Sequence, residues 1–136
     1  KLSPKHKHND SKKLLALIDL FKSRAENIND IEDGISYMQS DDIERYSDDA
    51  LKIINSADKK IMLDTINEIE KISLWKTVNI ERVIKSEIKK HNLKMFDIAA
   101  PIRASITGKT FSPSIFLVLE KLGKKVSINR LKKNFD

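Results

Sequence analysis

The chain has 136 residues, 40% apolar and 34% charged, with a net charge of +6 and no cysteine. That size and mix suit one compact domain or two small subdomains, and they exclude a disordered or collagen-like chain. The lack of thiols excludes disulfide scaffolds, cysteine nucleophiles and thiolate zinc or iron–sulfur sites.

Residues 1–11 form a basic, polar lead-in with no apolar period, read as a flexible segment. The opening at Lys1 rather than Met suggests a piece of a longer chain. Leu14, Leu17, Ile18, Phe21 and Ala25 then fall at helical spacing behind a cap at Asp10 or Ser11, and Ile28, Ile31, Ile35 and Met38 continue it after a polar break. Residues 41–49 are acidic and loop-like, and Ser47 is placed to cap a helix through Ala50, Leu51 and Ile54. Residues 58–73 repeat the period through Ile61, Met62, Thr65, Ile66, Ile69 and Ile72. Isoleucine favours strands intrinsically, but the spacing is three to four throughout, and period outranks propensity.

Trp75, the only tryptophan, sits where the composition changes and marks a seam between residues 12–74 and 75–136. A helix over residues 78–91 follows, with Ile80, Val83, Ile84 and Ile88 on one face. Residues 94–107 are apolar and helix-like, with a kink or break expected near Ala100 because Pro101 lacks a donor and restrains its predecessor. Gly108 is a natural left-handed stop. Ser112 followed by Pro113 predicts a cap and a first helical residue for a segment running to Gly123. A last basic helix holds Ile128 and Leu131. The fold class is therefore all-α, in two small helical subdomains.

The charge is unevenly spread. Residues 1–75 carry 12 basic and 15 acidic side chains, −3, whereas residues 76–136 carry 14 basic and 5 acidic, +9. Such a cationic half draws phosphate by counterion release, and nucleic acid offers most of it. No apolar run approaches a membrane span and no signal-peptide pattern opens the sequence, so a cytoplasmic protein with no membrane partner is expected.

No nucleophile, base and orienting group converge, so no catalytic residues are assigned. Gly108-Lys109-Thr110 resembles the end of a phosphate-binding loop, but Arg103 stands where that loop needs a further glycine, and a helix stands where it needs a strand. His6 and His8 alternate with lysines that oppose a metal, and no metal ligands are assigned.

The most specific stretch is residues 95–123. Arg103 can present a planar fork to a base edge or phosphate, Gly108 and Lys109 form a basic turn, and a helix opening at Ser112 and Pro113 leaves the N–H groups of Ser114 and Ile115 ready for an acceptor. Phe116, one turn in, has a face a base could stack on, although an apolar stripe at this spacing more often belongs to a core, as Ile115 also could.

This stretch resembles the C-terminal end of bacterial glutamyl-tRNA synthetases. The features are Trp75, then Pro101-Ile102-Arg103-Ala104-Ser105-Ile106-Thr107-Gly108, a short basic turn, Ser112-Pro113-Ser114-Ile115-Phe116 and Leu122-Gly123-Lys124, in order. Residues 20–31 resemble the family more weakly. The resemblance implies a monomeric, multihelical anticodon-binding region whose partner is the tRNA anticodon loop, with glutamylation, ATP and Mg²⁺ belonging to a catalytic domain upstream. It implies base contacts for Arg103, Ser112, Pro113, Ile115 and Phe116, and a contact to the third anticodon position for Arg24. Ser114 departs from a position where glycine is common. Physics alone leaves two other classes open: a helical DNA-binding module reading through residues 112–122, and a basic scaffold for an acidic protein.

Overall fold

The computed structural model describes residues 37–38, 43 and 45–136. The expectations for residues 1–36, including the first helix and Arg24, lie outside them. Among the described residues the structure is all-α, with six helices and no strand: α1 (Asp48–Ser56), α2 (Lys59–Glu70), α3 (Thr77–Lys90), α4 (Met95–Thr107), α5 (Ile115–Leu122) and α6 (Lys124–Phe135). No described helix is long and apolar enough to cross a membrane.

Local chemistry sets the helix starts. Ser47 Oγ accepts from the Ala50 N–H at 3.1 Å, and Asp48 and Asp49 follow in the first turn of α1, where the helix dipole favours acids. Asp58 does the same for α2, accepting from the Ile61 N–H at 3.1 Å. Helix α2 ends at Glu70, three residues short of the expected limit. There the chain tightens into bonds from Lys71 N–H to the Glu68 carbonyl and from Ile72 N–H to the Ile69 carbonyl.

Helix α4 lies at the centre, packed against α1, α3, α5 and α6. Between Ile98 and Thr107 every residue except Arg103 is buried. The break expected near Ala100 is absent: the backbone stays helical from Met95 to Thr107 across Pro101. Proline removes one bond from the ladder, but helices packed on several sides hold this segment, and tertiary packing supplies most helical stability. The Ser105 hydroxyl donates to the Pro101 carbonyl at 2.8 Å inside this interior.

Ile54, Met62, Ile66 and Ile69 of α1 and α2 join Ile80, Ile84, Ile102, Leu119 and Leu131 of the later helices in one apolar cluster. Trp75 packs against that cluster, and its indole N–H donates to the Leu119 carbonyl at 2.7 Å. Beside it, Glu120 of α5 supplies the cap that α3 lacks from its own sequence. Its Oε1 accepts from the Thr77 N–H at 2.7 Å and the Thr77 hydroxyl at 3.0 Å. These two bonds, backbone first, hold the Glu120 carboxyl below its ordinary range.

Gly108 ends α4 with φ 74°, and a Cβ there would stand 2.7 Å from the Arg45 carbonyl oxygen. Its own carbonyl accepts from the Ser47 N–H at 2.9 Å, so the turn fastens the lead into α1 onto the end of α4. Arg130 of α6, on the last basic helix, is 1% exposed. Its Nη1 donates to the Ile106 carbonyl at 2.6 Å and its Nη2 to the Tyr37 carbonyl at 2.7 Å. The guanidinium thus sits at the negative end of the α4 dipole.

Candidate nucleic-acid interface

Arg103, the outward residue of the inner stretch of α4, donates from Nε to Ser112 Oγ at 3.0 Å. The same Ser112 hydroxyl donates to the Pro113 carbonyl at 2.7 Å. Ser112 is therefore not the helix cap the sequence suggests. Its oxygen is engaged by the guanidinium, and α5 begins two residues beyond the expected first position, with Ser114 at the cap and no side-chain capping bond. The shift moves the open N–H groups to Ile115, Phe116 and Leu117, since the first intrahelical bond runs from Val118 N–H to the Ser114 carbonyl at 3.0 Å.

Thr107 organises the turn between the two helices. Its hydroxyl donates to the Arg103 carbonyl at 2.7 Å and accepts from the Lys109 N–H at 3.0 Å. Tyr37 lies behind: burial pushes its phenol well above the ordinary tyrosine range, against the opposing pull of Arg103 and Arg130. The result is a fixed guanidinium, a basic turn and an open helix N-terminus in succession, a combination suited to hydrogen bonds with base edges and phosphate oxygens.

The residues anticipated for this surface divide into two groups. Arg103 and Ser112 come together in direct contact. Pro113 is buried and Ile115 is 2% exposed, with its side chain in the core. Phe116 is half-buried and packed on the core. The open aromatic of the loop between α4 and α5 is Phe111, 64% exposed, which was not among the anticipated residues. Its signal was present: an aromatic in a polar turn, outside any helical period, has no core to enter.

Among the described residues no group of three or more His, Asp or Glu side chains could hold a metal ion. A surface depression lined by Asp64, Asn67, Glu68, Glu70, Lys71 and Lys90 mixes both charges and holds no nucleophile with a base beside it. Glu120, one of two charged residues on α5, is committed to Thr77, which leaves that helix poorly equipped to read a major groove.

The sequence profile described as the anticodon binding domain matches residues 1–135. The chain belongs to that family. Relatives of this anticodon-binding domain include glutamate–tRNA ligase 2 of Parvibaculum lavamentivorans, 31% identical over 121 residues, covering 89% of this chain and 25% of the relative. Glutamate–tRNA ligase 1 of Bartonella bacilliformis is 30% identical over 131 residues, covering 96% of this chain and 27% of the relative. The chain thus spans about a quarter of the length of these curated relatives. Its fold matches part of the glutamate tRNA ligase crystal structure from Elizabethkingia meningosepticum, with a TM-score of 0.80 at 24% identity over 94% of this chain and 25% of that one. The domain is homologous to a region of glutamate–tRNA ligases.

Proposed function

We propose that this domain reads the anticodon loop of a tRNA for a glutamate–tRNA ligase, with Arg103 as its principal base reader. The observation that carries the reading is the placement of Arg103: the one residue from 98 to 107 that is not buried, tied by Ser112 beside the open end of α5. Sequence-specific RNA recognition targets unstacked loop bases through hydrogen bonds and stacking, and an anticodon loop presents such bases. Ser112 orients the guanidinium, the free N–H groups of α5 donate to a phosphate or base oxygen, and the cationic second half meets the backbone. Arg24 adds a contact from the first half, and residues 12–74 and 75–136 act as two subdomains of the reader. Pro113 and Ile115 shape the loop through their backbone and packing, and Phe116 offers its open edge.

The ligase chemistry, with its ATP and Mg²⁺, belongs to a catalytic domain outside these residues, in a cytoplasmic enzyme. The domain itself is a monomer with no catalytic role. Titration of this chain with a tRNA anticodon stem-loop, in competition with duplex DNA, tests the reading. Expected is preference for the stem-loop, weakening linearly in log affinity with log salt. Equal competition by duplex DNA would falsify it.

A further inference from the structure

Phe111 stands 64% exposed in the loop joining α4 and α5, next in sequence to the serine that holds Arg103. A buried or half-buried aromatic is explained by its packing; this one is not. Its sequence neighbours Lys109, Thr110 and Ser112 are polar, so the loop itself sets the ring among hydroxyls and a lysine rather than in an apolar run. A protein partner wants contiguous apolar surface. A single ring edged by polar groups and a cation suits a flat ligand with an apolar face, a polar rim and a nearby negative charge, which is a nucleotide. Phe116 offers less ring face for that purpose, since it packs on the core.

We infer that Phe111 is a base-stacking residue of this surface, taking the face of one unstacked loop nucleotide beside the base edge that Arg103 addresses. The inference rests on the RNA-reading function proposed above. Arg103 supplies hydrogen bonds that depend on base identity, whereas Phe111 supplies a sequence-tolerant platform, because every base has a π-face.

The test uses this chain and an anticodon stem-loop carrying 2-aminopurine at each anticodon position in turn. In the wild type, one position should be quenched on binding. Phe111→Ala should weaken binding roughly 5- to 150-fold, the equivalent of about 1–3 kcal/mol for one stacked base, and abolish that quenching. Phe111→Trp should restore both. Phe111→Leu keeps apolar bulk without a ring, so it should lose the quenching while melting with the wild type, which separates stacking from folding. Leu74→Ala, truncating an apolar side chain 60% exposed elsewhere, should change neither readout. If the wild type binds, Arg103→Ala weakens it, and Phe111→Ala and Phe111→Leu bind and quench as the wild type does, the stacking role is overturned and the RNA reading survives. If the wild type does not bind the stem-loop, both fall together.

Discussion

Arg103 Nε donates to Ser112 Oγ at 3.0 Å, joining the outward side chain of the central helix to the loop that opens α5. The bond removes freedom from a long side chain before any ligand arrives, and a preordered fork loses less entropy on binding. Arg103→Ala should therefore cost about 1–3 kcal/mol of RNA affinity, in an amount that changes with the anticodon sequence. Arg103→Lys should not recover it, since an ammonium has no planar fork. Affinities for a panel of stem-loop variants check this; unchanged discrimination in the Ala variant would sink the assignment.

Gly108 should tolerate no side chain. Its φ of 74° costs an alanine about 1–2 kcal/mol, and the added Cβ would meet the Arg45 carbonyl at 2.7 Å and Ile43 Cγ2 at 2.8 Å. Gly108→Ala should thus lose more stability than the backbone conformation alone explains. Urea unfolding followed by the fluorescence of Trp75, the single tryptophan, measures it.

Arg130 joins α6 to the end of α4 and to Tyr37 through two buried bonds. Arg130→Met keeps much of the volume but leaves two carbonyl acceptors without these donors, so a loss of about 3 kcal/mol or more is expected. Arg130→Lys should fail to rescue it, because an ammonium cannot reproduce the guanidinium geometry toward both carbonyls. A denaturant midpoint close to that of the wild type for either variant would contradict the account.

Glu120 should make stability depend on acidity. Thr77 holds its folded pKa below the ordinary value of 4.5, so the stabilisation is complete above that value and is lost as pH falls beneath it. The unfolded chain then binds a proton that the folded chain resists. Glu120→Gln should flatten the stability profile below pH 4.5 relative to the wild type while leaving the profile above it parallel. Denaturant midpoints across that range provide the comparison.

Much of this molecule is legible in its sequence. Ser47 caps the helix it was expected to cap, because capping depends on residues three apart. Gly108 and Gly123 end α4 and α5 with positive φ, as the absence of a Cβ allows. Two local rules were overridden. Pro101 does not interrupt α4, where packing on several sides outweighs one absent hydrogen bond. Ser112 gives up the cap position because Arg103, nine residues earlier, engages its hydroxyl.

The periodic spacing of isoleucine and leucine, read along the chain, was enough to specify the described helices and most of the faces they bury, Leu51 at 42% exposed being an exception, since both follow from contacts within a turn or two. Long-range partnerships were another matter. That Arg103 points outward while Arg130 is interred, that Glu120 caps a helix 43 residues away, and that Phe111 rather than Phe116 leaves its ring open all depend on how the six described helices pack together. Burial of a particular side chain is a property of the assembled core, and no short window of sequence contains it.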